Sequence, residues 1–482
     1  MAAVCGVAVA TAGDPGAEPA TISGQRLSLR QALARVDENP DVVRAVIDAE
    51  LADADARALR RPWQLSVGVG GNRVDELGAS LAPPRTAGRP FVEASVAHQF
   101  STGTTVEAHA RGYSENGDDS PWSSAQITLT QQLVRGLRPS IVDSDQIAAE
   151  HTARASAARA RSTGADVRSA VAAAYWELAF AHADLAIRKL SVDAAREQAR
   201  LTQALVREGQ VPHSALLATE QAIASRVDAL VSAEQAIVER SLALRVLIGL
   251  PIESGDVVVV PTDGPALDAG RPVDVAAALA RALASSPGVT AAAATVDASV
   301  ARRRAADDRV LPGLDLSIVA DSIENEPNVA PADPTAPLTG ESVTATLTLR
   351  YDLFGGQGAQ RDRERAAERR ARIELAEARR RIQHDVVAAA ARVDAGARRI
   401  ALTAGSEERA AALLKAEVLR FSGGQATVFD VLARQAELEE ARRASLRAAI
   451  DRAIADADLH RLVGDDATAP LASAVLRAGP RR

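Results

Sequence analysis

The sequence repeats itself, and this repeat limits the possible fold more than any other feature. ITLTQQLVRG (127–136) matches LTLRYDLFGG (347–356) without a gap at an offset of 220. Further on the offset is 215: Val171-Ala172-Ala173-Ala174 aligns with Val386-Val387-Ala388-Ala389, Gly209-Gln210 with Gly424-Gln425, and Leu216-Leu217-Ala218 with Val431-Leu432-Ala433. The same spacing carries Leu247-Ile248-Gly249 onto Leu462-Val463-Gly464, so it holds over about 80 residues, the mark of a duplicated unit. Upstream, ALAR at 32–35 recurs at 278–281, followed by Asn39-Pro40 and Ser286-Pro287. The halves are residues 28–250 and 272–465, joined by a linker at 251–271. Residues 466–482 lack any periodic pattern and are expected to be a mobile tail.

Each half reads in the same order. A helical stretch, 41–61 or 288–311, runs up to Pro62 or Pro312, where a helix cannot easily continue. Alternating segments follow: QLSVGVG (64–70) and SAQITLTQQL (124–133) in the first half, LDLSIVADS (314–322) and SVTATLTLRYDL (342–353) in the second. The intervening stretches, 73–90 and 323–341, are rich in proline and glycine and are expected to be extracellular loops. The first half holds an additional alternating pair, FVEASVAHQF (91–100) and TTVEAHARGY (104–113), which the pattern alone does not place. A long helix then spans 140–208 or 358–421, a glycine break follows, and a second helix spans 213–248 or 428–463. Alanine and arginine dominate and only twelve residues are aromatic, which suits long helices.

Helix length gives this order a physical meaning. At about 1.5 Å per residue the first long helix is about 100 Å and the returning one about 54 Å. The helix opening the next half adds about 36 Å, so two short helices stacked end to end nearly match one long one. Such a stack predicts a tall helical wall. No run of 18 apolar residues occurs, so a membrane crossing would have to use the strands. Lipid offers no hydrogen-bond partners, so strands cross it only as a closed barrel. The four strands placed in each chain cannot close alone, and several chains must share one barrel.

Other chemistry finds little support. A net charge of -7 provides no broad basic surface for nucleic acid. The single cysteine, Cys5, allows neither a disulfide framework nor a thiolate metal site. Residues 1–27 are expected to be a clipped export signal and leader, because the apolar stretch from Ala2 ends in Ala10-Thr11-Ala12. An unstructured alanine-rich terminus is the other reading, and Val4 is bulkier than the residue that usually precedes a lipidated cysteine. The histidines, among them His98, His109, His182, His213 and His384, lack metal-ligand spacing. Gly68, Gly70 and Gly71 precede no helix and no phosphate-binding lysine, so they read as strand glycines. Between Arg361 and Arg381 the basic residues alternate with Asp362, Glu364, Glu368, Glu374 and Glu377, as on a solvated helix face. No nucleophile, base and orienting group come together in a motif, so neither catalytic nor cofactor-binding residues are assigned. A cytosolic coiled-coil scaffold would not need strands in both halves, and a periplasmic adaptor would hold one helical hairpin instead of two whole units.

The motifs in their order resemble a family. LSLRQALARVDENPDV resembles the N-terminal helix of TolC-like outer membrane efflux proteins, and QQLVRG and YDLFGGQ resemble their strand-to-helix junctions. Arg420-Phe421-Ser422-Gly423-Gly424 with Phe429-Asp430-Val431-Leu432 resembles their periplasmic tip. The resemblance covers residues 28–465. It implies a mainly α chain with membrane β strands, built from a duplicated helix-strand-strand-helix-helix unit. It implies a homotrimer whose 12-stranded β-barrel, in contact with outer membrane lipid of a Gram-negative bacterium, continues into a long periplasmic α-helical barrel. Such a channel would be a passive conduit, served by an inner-membrane pump through a periplasmic adaptor.

The resemblance also suggests sites. Gly209, Gln210, Arg420, Phe421, Gly424 and Gln425 would form the tip that meets the adaptor, although glycine there also serves as a helix cap. Asp430 would line a pore constriction, or as a first-turn aspartate simply favour the helix dipole. Seven aromatic residues lie in or beside the strands; of these Trp63, Trp122, Tyr351 and Phe354 are expected at the membrane interface, where ordinary sheet preference for aromatics is the competing reading. Three departures stand out: glutamine replaces the usual proline in QQLVRG, the first-half tip lacks the Arg-Tyr pair, and the hairpin at 91–113 is additional. The last of these bears directly on the count of 12 strands.

Overall fold

The computed structural model describes residues 24–75, 86–113, 122–251, 257–265, 272–324, 339–351 and 355–464. In chain order the elements are β1 (Gln25–Leu27), α1 (Leu29–Leu33), α2 (Pro40–Ala58), β2 (Gln64–Asp75), β3 (Thr86–Gln99), β4 (Thr104–Tyr113) and β5 (Trp122–Gln132). There follow α3 (Pro139–Val142), α4 (Ser144–Arg207), α5 (His213–Leu247), β6 (Val259–Pro261), α6 (Val275–Ser285) and α7 (Pro287–Arg309). The chain then forms β7 (Gly313–Glu324), β8 (Thr339–Arg350), α8 (Gln357–Ser422) and α9 (Val428–Val463). With 64 and 66 residues, α4 and α8 are each close to 100 Å long at about 1.5 Å per residue. The expected helix order holds in both halves. Two compact units divide the contacts, one formed by residues up to Val43, Thr163–Ala284 and from His384 onward, the other by Arg44–Ser162 and Ser285–Gln383.

The first unit is built around a small parallel sheet of β1 and β6, with Gln25 opposite Val259 and Leu27 opposite Pro261. Leu27, Tyr175, Leu178, Ile237, Leu244, Ile248 and Ile450 share its core, and burying such side chains contributes about 1.5–3 kcal/mol each. Ser28 starts α1 with a capping box: its hydroxyl accepts from Gln31 N–H while the Gln31 side chain accepts from Ser28 N–H. The Tyr175 hydroxyl lies 2.9 Å from an Asp263 carboxylate oxygen and accepts from the N–H groups of Thr262 and Asp263. Ion pairs join α4 to α9 beside this core. Asp184, nearly buried, accepts from Arg188 at 2.8 Å and Arg443 at 2.6 Å, while Arg447 pairs with Glu177 and Asp451. A buried carboxylate without these partners would be strongly destabilising.

The second unit contains a six-stranded antiparallel sheet in the order β2-β3-β4-β5-β7-β8. This corrects two expectations. The first half contributes four strands, so the helix-strand-strand-helix-helix unit describes only the second half, and the sheet of one chain holds six strands where the sequence pattern placed four. The additional hairpin is the reason: β3 pairs with β2, β4 pairs with β5, and β2 and β5 are not neighbours. The strands also reach into the stretches expected to be loops, because β2 runs to Asp75, β3 starts at Thr86, β7 runs to Glu324 and β8 starts at Thr339. Residues 76–85 and 325–338, the remainder of those loops, lie outside the described residues.

The helices of this unit meet through alanine. Ala298 and Ala301 of α7 pack against Ala148 of α4, and Ala291, Ala294 and Ala305 are buried on the same helix. Small side chains let two helix axes approach closely, which leaves no room for a larger residue. Ala298→Leu should therefore lower stability by about 1–3 kcal/mol through overpacking. The check is the melting midpoint of the detergent-solubilised protein; an unchanged midpoint would mean that the contact yields to the larger side chain.

Candidate functional site

The sheet has two chemically different faces. Side chains alternate along a strand, so register alone sorts them into rows. One face gathers Leu65, Val67 and Val69 from β2, Val92, Ala94 and Val96 from β3, and Val106, Ala108 and Ala110 from β4, in the cross-strand register Val67↔Ala94↔Ala110. The rows continue through Ile127 and Leu129 of β5 and Ile318 and Ala320 of β7 to Val343, Leu347 and Leu349 of β8. The opposite face holds Ser66, Glu93, Ser95, Glu107, His109, Arg111, Gln126, Thr128, Ser317, Asp321, Thr344 and Thr346. Val69 is 79% exposed and Val343 75% exposed, although both are large and apolar. Water would not favour such a surface; a bilayer would.

Aromatic side chains mark one end of the apolar face. Trp63, just before β2, stacks on His98 with ring centroids 4.5 Å apart, and Phe100 meets both rings edge-on. Tyr351 follows β8 at the same end of the sheet, since Gly313 pairs with Arg350, and it continues the parity of Val343, Leu347 and Leu349. Trp122 opens β5 at the other end, opposite Tyr113, and shares strand parity with Ser124 and Gln126. Phe354 lies outside the described residues. The Trp63–His98–Phe100 cluster combines a residue expected at the interface with a histidine that sequence spacing only excluded from metal binding.

The tip residues belong to the first unit, in two turns of identical design. Helix α4 ends at Arg207 and turns at Gly209, and helix α8 ends at Ser422 and turns at Gly424, with φ of 70° and 73° at the two glycines. That left-handed conformation favours glycine. In each turn the glycine N–H donates to a carbonyl three residues back, Val206 or Phe421, and the following glutamine N–H donates to Leu205 or Arg420. This double hydrogen bond satisfies carbonyls that a helix end leaves free. Gln210 and Val211 of one turn and Phe421, Gly424 and Phe429 of the other line a single cavity of about 640 Å³, with Leu201 and Leu205 on its wall. Arg420 pairs with Glu417 at 3.2 Å and donates to the Gln425 carbonyl at 3.4 Å.

Asp430 stands three residues after Thr427, the N-cap of α9. One of its carboxylate oxygens accepts from the Thr427 N–H at 2.8 Å and hydroxyl at 2.7 Å, and its own N–H donates back to that hydroxyl. The capping box has a clear electrostatic consequence. The hydrogen bonds from Thr427, with Arg420 and Arg434 nearby, hold the exposed Asp430 carboxyl below the usual aspartate range despite slight desolvation. Among the described residues no group of three or more His, Cys, Asp or Glu side chains is placed to hold a metal ion.

A sheet apolar on one face and polar on the other, in a chain that also carries helices of 64 and 66 residues, is of the class suited to a membrane surface. Residues 29–250 and 278–465 match the outer membrane efflux protein family, and the chain belongs to that family. Its members are outer membrane efflux channels, and the protein resides in the outer membrane with a large periplasmic portion. Solved structures share the fold. The outer-membrane channel OprN matches with a TM-score of 0.66 at 16% identity, over 90% of this chain and 89% of that one. The open-state MtrE channel of Neisseria gonorrhoeae gives 0.66 at 17% identity over 91% and 89%. VceC of Vibrio cholerae gives 0.64 at 16% over 91% and 96%. No curated protein sequence matches the chain.

Proposed function

We propose that this chain is one subunit of a homotrimeric channel that serves as the passive outer membrane conduit of a tripartite efflux or export system. The observation that carries the reading is the open sheet with one apolar and one polar face. Among the described residues β2 and β8, the edge strands, each have a neighbour on one side only, and a sheet can cross lipid only when its edges are joined. Copies of the same chain supply the missing neighbours. The apolar face, with Trp63 and Tyr351 at one end, meets lipid, and the polar face lines water. A wide aqueous conduit selects weakly, so the inner-membrane pump sets the cargo.

The two glycine turns are the surfaces that meet the periplasmic adaptor. They share one geometry, expose Gln210 and Gln425, and enclose an apolar cavity between them. Photocrosslinking residues placed at Gln210 and Gln425 should capture the adaptor in living cells. Capture from strand positions alone would reverse the proposed orientation. Extraction in mild detergent should yield a heat-modifiable trimer, and a strictly monomeric species would remove the conduit reading.

A further inference from the structure

The additional hairpin is part of the six-stranded sheet. β3 pairs with β2 over twelve residues and β4 pairs with β5 over ten, so the hairpin is continuous with its neighbours on both sides. The face chemistry continues across it as well. Val92, Ala94, Val96, Val106, Ala108 and Ala110 extend the apolar rows, and on the opposite face Arg111 pairs with Glu93 at 2.5 Å and lies 5.0 Å over the Phe91 ring. A hairpin folded into the lumen would have no reason to keep an unbroken apolar face.

Its turn is fixed to the strand-to-helix junction. Gly103, with φ of 75°, presents its carbonyl to the Gln132 N–H at 3.2 Å. A Cβ added to Gly103 would sit 2.4 Å from the Gly136 carbonyl oxygen, so no other residue fits there without movement. Thr104 hydroxyl donates to the Gln131 side-chain carbonyl at 2.5 Å, and the Gln131 amide donates to the Thr102 carbonyl at 3.2 Å. A proline at position 132 would have no N–H to give to Gly103. The glutamines of QQLVRG and the inserted hairpin are therefore two parts of one feature.

Strand number sets barrel width. Because the hairpin adds a pair of strands, β8 still runs antiparallel to β2, and the β8 edge of one copy can pair with the β2 edge of the next. Each edge strand is twelve residues long with exposed apolar rows, a surface that invites pairing. We propose that three copies of this chain close a barrel of eighteen strands, six from each, giving an outer membrane opening about one and a half times as wide as twelve strands would enclose. This rests on the trimer proposed above.

The test uses the full chain extracted in detergent. Native mass spectrometry gives the number of copies, and electron cryomicroscopy of the same sample gives the number of strands. Three copies with eighteen strands is the expected result. Three copies with twelve wall strands and the hairpin folded away would overturn the proposal and leave the channel reading intact, whereas a species other than a trimer would undo the assembly itself. In planar bilayers, removing Thr86–Tyr113 should lower the size limit for neutral polyethylene glycol entering from the barrel side by about one third, following the linear dependence of width on strand number. An unchanged limit counts against the wide barrel.

Discussion

Tyr175→Phe should destabilise the chain by about 1–3 kcal/mol, because the lost hydroxyl leaves polar groups without partners. In the native core this oxygen lies 2.9 Å from the Asp263 carboxylate and accepts from the N–H groups of Thr262 and Asp263 at 3.2 and 3.1 Å. Asp263 in turn accepts from Leu29 N–H, so one phenol fixes β1, the start of α1 and the segment after β6. Phenylalanine fills the same volume and removes only the polar link. The effect should therefore appear as lost stability with little change in channel conductance. Burial, aided by the adjacent Asp263 carboxylate, pushes the Tyr175 hydroxyl from 10.0 up to about 12. A pKa raised on folding gives stability that is complete below the unfolded value and fades as pH rises through the folded one. The unmodified protein should thus lose its advantage over Tyr175→Phe between about pH 10 and pH 12, followed by chemical denaturation in detergent. A constant difference across that range would place the effect in packing instead of the hydroxyl.

Much of the helical order is legible in the sequence because it has a period and clear ends. The turns at Gly209 and Gly424 are marked by glycine, and Pro40 and Pro287 stand at the starts of α2 and α7. The strands of the second half are equally legible, since Leu314, Leu316 and Ile318 alternate with Asp315 and Ser317. The placement of the additional hairpin was not legible. Alternation at 91–113 shows that the segments are strands, but neighbour choice in a sheet depends on edges, and the link from Gln132 N–H to Gly103 is a backbone contact that no side-chain pattern reports. The buried Tyr175 and Asp184 networks were missed for a related reason. Each joins residues more than 80 positions apart, Tyr175 with Asp263 and Asp184 with Arg443, and neither pair has a sequence signature. At Asp430 the sequence left two roles open, and the structure places the carboxylate in a helix cap. A cap on an exposed surface does not prevent the same carboxylate from facing a lumen when copies assemble.

Neutralising Asp430 without disturbing the cap should separate those two roles. If Asp430 lines the pore, the proposed trimer would bring three of its carboxylates together at the periplasmic entrance, where a ring of negative charge attracts multivalent cations and favours cation passage. Ala433 one turn on, and Ser214 and Ala215 in the other half, add no second acidic layer, so the effect depends on this single ring. Asp430→Gln keeps a side-chain carbonyl at the third helical position, where glutamine also completes a capping box with Thr427. Asp430→Ala removes both charge and cap. If the ring operates, both variants should raise the blocking concentration of a trivalent cation by at least roughly tenfold and reduce cation preference in planar bilayers. Only Asp430→Ala should also lower the melting midpoint. The dependence on pH gives a second separation. In a single chain, Thr427 holds the Asp430 carboxyl below 3.8, and a pKa depressed on folding gives stability present above the unfolded value and lost as pH falls through the folded one. Three like charges at a constriction act in the opposite direction, since each raises the pKa of the others. Cation block should therefore weaken at a pH above that at which the cap titrates. Block that is insensitive to Asp430→Gln would assign the residue to the helix cap alone and move the constriction elsewhere.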